Sequence, residues 1–261
     1  MCQSTDKEQY LLLSKLQSFK RKVDRATDIC KTALANSNNA SLSFSGGKDS
    51  VVMLDIAYNA GFRGDLMFFK YGLCTDMDTP QENIDMLLNS AARYGLTYTV
   101  VDCMSEVDCW DMCGRFFIKP ETPEEKRIYN LTIYDFVKKS QEYEARNNID
   151  LNFIGMCKDE SRIRQITLSK KGAIYKTKSR QATTCCPLIY FTAKDVWAYI
   201  FSRNLPYLSI YDYAYIDRCK NRNEITIMYN DAIIENGMMW HYKQMYPDYF
   251  MWLEERWGYR L

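Results

Sequence analysis

Leu42-Ser43-Phe44-Ser45-Gly46-Gly47-Lys48-Asp49-Ser50-Val51-Val52-Met53-Leu54 runs from a short apolar strand through two glycines straight into an amphipathic helix. It reads as a phosphate cradle. Gly46 and Gly47 can take backbone angles that a Cβ would forbid, which lets main-chain N–H groups turn toward a bound oxyanion. Ser45 and Ser50 add hydroxyl donors, Lys48 adds a positive charge, and the positive end of the following helix dipole points at the same spot. A bare strand-to-helix turn needs neither two hydroxyls nor a Lys at this density. Two better known phosphate motifs do not fit. A Walker A loop requires Gly where this chain has Leu42 and Ser or Thr where it has Asp49, and a dinucleotide fingerprint requires a third Gly where Ser50 and Val51 stand.

Working outward, Ala40 to Phe44 is the first strand and Ser50 to Asn59 the helix after the cradle, closed by Gly61 in a left-handed conformation. Upstream, Thr5 to Asn36 carries Tyr10, Leu13, Leu16, Phe19, Val23 and Ile29 three to six residues apart, which predicts one or two surface helices. Downstream, Leu66-Met67-Phe68-Phe69 is apolar throughout, as suits a parallel strand covered on both faces. A helix from Pro80 to Tyr94, stopped by Gly95, and a strand from Tyr98 to Val101 follow. Asp102 to Tyr129 reads as a long loop with a short helix around Glu106 to Met112, holding Cys103, Cys109 and Cys113 as structural cysteines. Thr132 to Asn147 is the next helix and Leu151 to Gly155 a fourth strand. Strand and helix alternate as in a doubly wound parallel α/β sheet, here of about five strands flanked by helices.

A second constellation begins at the end of that fourth strand: Gly155-Met156-Cys157-Lys158-Asp159-Glu160-Ser161-Arg162-Ile163-Arg164. Ligands of doubly wound sheets bind outside the carboxyl ends of the strands, so this loop and the cradle should face one crevice. From Ser161 to Lys194 there is no acidic residue, while Arg162, Arg164, Lys170, Lys171, Lys176, Lys178 and Arg180 are cationic. Such a run suits a multiply anionic ligand and makes residues 162–180 the candidate surface for nucleic acid. Cys185-Cys186-Pro187-Leu188 follows, and then Thr192 to Ile200, where Thr192 and Asp195 form a capping-box start.

Composition narrows the class. A chain of 261 residues with 47% hydrophobic content can bury a sizeable core. No apolar run approaches the roughly 18 residues of a membrane span, and Met1 to Glu8 is polar, so a cytoplasmic protein with no membrane partner is expected. Ten cysteines without a secretory signal are more in keeping with free thiols, ligands or redox groups than with disulfides. The formal charge of +1 gives no global steering toward nucleic acid. His241 is the only histidine, and the stretch from Asp217 to Leu261 is rich in aromatics and Met; core packing is its default, and an exposed part would mark a partner or homo-oligomer surface.

Ser-Gly-Gly-Lys-Asp-Ser after a strand resembles the PP-loop of the adenine nucleotide alpha hydrolase superfamily. Together with the Gly155 loop and the Pro187-Leu188, Thr192-x-x-Asp195-Val196-Trp197, Leu205-Pro206 and Tyr211-Asp212 segments, the chain resembles the phosphoadenosine phosphosulfate (PAPS) reductase family from about Ser41 to Asp212. The resemblance implies a helical segment at 1–39, a Rossmann-like nucleotide domain at 40–212 and a helical extension at 213–261. It implies ATP or PAPS as the bound nucleotide, with Mg²⁺ as a companion of ATP. Ser45, Gly46, Gly47, Lys48, Asp49 and Ser50 would surround phosphates, with Gly72, Gly155, Lys158, Glu160, Ser161 and Arg164 as further contacts.

The departures matter as much. Lys70-Tyr71-Gly72 stands where the family often has Asp-Thr-Gly, and Cys157 stands where the second loop usually has Arg. The C-terminal Glu-Cys-Gly-x-His motif of thioredoxin-dependent reductases is absent, because no Cys follows Cys219. Some relatives hold an iron–sulfur cluster on a Cys-Cys pair plus a later Cys-x-x-Cys; Cys185 and Cys186 supply the pair here, but only Cys219 follows. Next to the basic run, Cys185 and Cys186 could instead have lowered pKa values and act beside Lys48 as catalytic groups, drawing on a sulfur-carrier protein. The expected function is nucleotide binding for sulfur transfer or substrate adenylation; the alternative is a non-catalytic nucleotide-binding subunit of a nucleic-acid-modifying or other complex.

Overall fold

The structure is a computed structural model that describes residues 3–70, 81–102, 122–177, 180–212, 247–248, 251 and 255. The chain divides into one compact unit of Met1–Phe69, Glu82–Val100 and Gln141–Asn223 and a second of Lys70–Gln81, Val101–Ser140 and Glu224–Leu261. Strands β1 (Ala40–Ser43), β2 (Asp65–Lys70), β3 (Tyr98–Asp102), β4 (Leu151–Phe153), β5 (Ile174–Tyr175) and β6 (Thr183–Cys185) form one sheet in the order β3-β2-β1-β4-β6-β5. β1 pairs in parallel with both β2 and β4, and β4 with β6; β5 adds antiparallel at the edge. Seven helices are present among the described residues: α1 (Gln3–Lys15), α2 (Gln17–Leu34), α3 (Lys48–Asn59), α4 (Gln81–Tyr94), α5 (Pro123–Arg146), α6 (Arg162–Lys171) and α7 (Ala193–Arg203). The α/β doubly wound architecture expected from the sequence is the one observed.

The central strands follow from their composition. Leu42, Leu66, Met67, Leu151 and Phe153 are all buried, as strands covered on both faces require. α3 is buried from Ser50 to Ala57 and packs against α2 and α7. The first expected helical stretch breaks at Leu16, whose extended backbone (φ −66°, ψ 141°) separates α1 from α2. Gly61 (φ 109°) and Gly95 (φ 62°) both adopt the positive φ expected of helix stops.

Two expectations need correction. Residues 123–129 are the start of α5, not loop: Pro123 occupies the first helical position, where its missing N–H costs nothing, and Glu124 suits the positive helix end. Strands β5 and β6, two and three residues long, have no period that a sequence pattern can reveal. The loop cysteines Cys103, Cys109 and Cys113 lie outside the described residues.

The N-terminal helices are fastened to the sheet domain by charge as well as packing. Asp195 closes a capping box with Thr192 at the start of α7 and also accepts from Lys22 of α2 at 2.6 Å. A second polar chain runs through the core. Ser43 at the end of β1 bonds Asn152 of β4 at 3.1 Å, Asn152 donates to Glu144 of α5 at 3.4 Å, and Arg180 donates to the same Glu144 oxygen. Glu144 is fully buried, and its other oxygen has no hydrogen-bond partner. Arg180 is therefore the counter-ion of a carboxylate that cannot reach water. Arg180→Ala should destabilise the protein by about 3–5 kcal/mol in chemical denaturation, with much of the loss recovered when Glu144→Gln is added. Equal losses in the single and double variants would show that the pairing does not matter.

Candidate functional site

The cradle forms at the carboxyl end of β1, with Gly46 at φ 76° and Gly47 as the extended N-cap of α3. The left-handed φ at Gly46 is what a side chain would disfavour. Ser45 Oγ accepts from the Gly47 N–H at 3.3 Å and lies 3.4 Å from Ser50 Oγ, and Ser50 donates to the Gly47 carbonyl at 2.8 Å. Lys48 Nζ pairs with Asp49 at 2.6 Å. The two hydroxyls and the cation named from the sequence thus converge on the first turn of α3.

The second loop meets them there. A Cβ on Gly155 would lie 3.2 Å from the Asp49 carbonyl carbon and 3.3 Å from the Ser50 nitrogen, so any side chain here would have to push the backbone of the first turn of α3 away by a few tenths of an ångström. Beyond it, Glu160 accepts from the Cys157 N–H at 2.8 Å and pairs with Arg164, and Ser161 caps α6 by accepting from the Arg164 N–H at 3.2 Å. Lys158 lies 5.3 Å from the Tyr190 ring centre, on the face of a ring that Arg25 of α2 also covers at 3.6 Å. Gly72 falls outside the described residues.

Electrostatics tie the two loops together. Burial works against the Lys48 ammonium, but Asp49, then Tyr211, and more weakly Glu160, outweigh it and leave the pKa above its ordinary value. Lys48 is a permanent cation at neutral pH. Burial pushes the Asp49 carboxyl up, with Lys48 opposing and Glu160 adding to the rise. Tyr211, which stands in the sequence only as part of the Tyr211-Asp212 segment, is also a site residue. Its hydroxyl accepts from the Lys48 N–H at 3.2 Å, a contact between residues 163 positions apart that no local pattern signals.

The cysteines behave otherwise than expected. Cys185 and Cys186 are fully buried, and Cys186 sits in an apolar cluster with Leu168 and Ile189. Burial pushes the Cys186 thiol up to about 12 despite a hydrogen bond from Tyr175, and pushes Cys185 higher still. The adjacent basic run does not lower them, because desolvation outweighs it. Cys157 is likewise raised by burial and by Asp49. Among the described residues no group of three or more His, Cys, Asp or Glu is placed to hold a metal ion, and Cys219 lies outside them. In the basic run, Arg164 and Arg180 are paired with Glu160 and Glu144, while Arg162, Lys170, Lys171 and Lys176 are exposed.

Two predictions follow from burial and packing. Gly155→Ala should cost about 1–3 kcal/mol of stability by forcing the two loops apart, with a matching loss of anion affinity in calorimetry; unchanged affinity would separate the loops functionally. Cys30 and Cys186, both raised to about 12 from an ordinary 9.0, bind protons more tightly folded than unfolded. Their contribution to stability is complete below pH 9 and lost as pH rises toward 12, with a slope of up to roughly 1.4 kcal/mol per pH unit for each thiol. Denaturation curves between pH 8 and 11 on the parent and on Cys30→Ala test this, and identical pH profiles would refute it.

Comparison with known proteins bears on the family and the fold. The family model for the phosphoadenosine phosphosulfate reductase domain matches residues 39–217. No curated protein matches the chain. Among solved structures, a phosphoadenylyl-sulfate (PAPS) reductase from Candida auris in a phosphate complex superposes with TM-score 0.53 at 17% identity, covering 83% of this chain and 94% of its own. NMN synthetase from Francisella tularensis gives TM-score 0.51 at 12% identity, covering 87% and 94%. A U34-tRNA thiolase from Methanococcus maripaludis, solved with its 4Fe–4S cluster, gives 0.50 at 13%, covering 93% and 81%. At these identities the structural likeness speaks for the fold, and the family match over most of the chain speaks for descent: the protein belongs to the phosphoadenosine phosphosulfate reductase domain family, with the PP-loop architecture of the adenine nucleotide alpha hydrolases.

Proposed function

We propose that this chain binds an adenine nucleotide across the Ser45–Ser50 cradle and the Gly155–Arg164 loop, and activates ATP by adenylating an acceptor that then receives sulfur or another nucleophile. The observation that carries the reading is the approach of the Gly155 loop to the first turn of α3, which gathers Lys48, the α3 N-terminus and Arg164 around one space. In the proposed step the acceptor's nucleophile attacks the α-phosphorus and the bond from that phosphorus to the bridging oxygen of pyrophosphate breaks. The electron pair leaves with pyrophosphate. Lys48 and the α3 N–H groups hold the charge that develops there, with Ser45 and Ser50 as hydroxyl donors.

Asp49 fits a role in holding Mg²⁺, since it is a carboxylate at the edge of the cradle with 18% of its side chain exposed. Bound there, the cation would neutralise phosphate charge. The described cysteines do not fit a cluster. The PAPS reading makes Cys185 or Cys186 the acceptor of a sulfonyl group. Thiols kept protonated and apart from solvent support it less well than the cradle supports adenylation.

Calorimetric titration with ATP, with and without Mg²⁺, and with PAPS, together with an assay of pyrophosphate release, tests the reading. ATP binding with pyrophosphate release in the presence of the acceptor is the expected result; binding of PAPS alone would return the chemistry to the thiols. Lys48→Ala should reduce pyrophosphate release by roughly 10²–10³-fold. Cys185→Ser with Cys186→Ser should leave it within a few-fold of the parent.

A further inference from the structure

The donors of the cradle are engaged by the chain itself. Gly47 N–H donates to Ser45 Oγ, and Lys48 Nζ to Asp49, partners within two residues of the donor. One partner comes from far away. Lys48 is the first residue of α3, so its N–H has no acceptor inside the helix and points outward along the axis toward any bound anion. The Tyr211 hydroxyl oxygen occupies that position at 3.2 Å. The tyrosine is held there: it is 2% exposed, its ring packs edge-on against Trp197 at 5.2 Å, and Lys48 Nζ lies 5.9 Å from its ring centre. Its turn, Ser209–Asp212, is fastened to the first turn of α4, where Glu82 accepts from the Ser209 N–H at 2.7 Å and the Ser209 hydroxyl at 2.9 Å.

Resting on the nucleotide reading of the cradle, we propose that Tyr211 is a self-ligand of the cradle, whose hydroxyl a phosphate oxygen displaces from the Lys48 N–H when the nucleotide binds. A phosphate oxygen wins the exchange because a hydrogen bond to an anion is roughly twice as strong as one to a neutral hydroxyl. The displaced phenol must swing on its turn, so occupancy of the cradle is coupled to the position of residues 209–212 and, through Ser209, to α4. Tyr211 thereby sets the nucleotide affinity. Its hydroxyl stabilises the unliganded cradle, and every binding event must first break that bond.

The test titrates pyrophosphate, and separately ATP, into the full chain and its Tyr211→Phe variant. Phenylalanine keeps the ring against Trp197 and leaves the Lys48 N–H without its internal acceptor, so pyrophosphate should bind about three- to tenfold more tightly to the variant. Equal binding would show that the hydroxyl does not compete, and weaker binding would make Tyr211 a co-ligand of the anion; either overturns the proposal while leaving the nucleotide reading intact. Failure of the parent and the variant to bind either ligand would sink the nucleotide reading itself and this inference with it. Should Tyr211→Phe prove too unstable to titrate, Glu82→Gln loosens the same turn without touching the cradle. It should also tighten pyrophosphate binding, and unchanged or weaker binding in that variant counts against the displacement.

Discussion

The site depends on one backbone contact, the approach of Gly155 to the Asp49–Ser50 peptide. It is a consequence of pairing β1 directly with β4: with Ser41 opposite Asn152 and Leu42 opposite Phe153, the two chains leave the same edge of the sheet side by side. The crossover from β1 goes one way to β2, while β4 joins on the other side. The two loops leave the sheet where its order reverses, which is where open α/β sheets form a crevice. α3 starts directly after the first loop and α6 just beyond the second, so the elements that supply helix N-termini and cations are positioned by strand register and not by the loops' own preferences. Ser43–Asn152 bonding two residues before the cradle fixes that register from within.

Charge is handled at this contact by pairing. Lys48, 8% exposed, would lose its proton affinity to desolvation if it stood alone; Asp49 restores it. Glu160 pairs with Arg164 in the same way; the Arg164 guanidinium keeps its charge in any case. Two cations and two carboxylates in one partly dry space are close to neutral together, so the cradle can be buried in the fold without a counter-ion from solution, and its cations are already in place when an anion arrives. Such preorganisation is what an electrostatic site needs, since no side chain has to be recruited and charged at the moment of binding.

How much of this could be read from the sequence depends on how local its causes are. The β1–cradle–α3 unit was legible because its signals are contiguous: an apolar run, two glycines, then a helix with a buried face. The meeting of the cradle with Gly155 was legible as well, since parallel topology places both loops at one edge. Other features had no local cause. Tyr211 owes its place on the Lys48 N–H to packing against Trp197, and Arg180 reads as one more cation in a basic run until Glu144 is found buried beneath it. The short strands β5 and β6 depend on neighbours for their existence, and Pro123 reads equally as a helix breaker or a helix starter until its position in the turn is known.

The thiols give the clearest contrast between resemblance and environment. Family likeness draws attention to Cys185 and Cys186, and proximity to a basic run suggests thiolates. A thiolate, however, needs water, a close cation or several donors around it, and at Cys186 burial beside Leu168 and Ile189 outweighs both the Tyr175 hydroxyl and the charge of Arg164. The same chain pairs Lys48 with the Asp49 carboxylate at the start of α3, where the Ser45 and Ser50 hydroxyls bond the Gly47 backbone. Groups that stabilise charge are concentrated where an anion would bind, and the cysteines are packed as small apolar side chains beneath it. Chemistry that moves charge onto phosphate oxygens fits that distribution, whereas chemistry that begins with a thiolate at Cys185 or Cys186 would have to open this part of the core first.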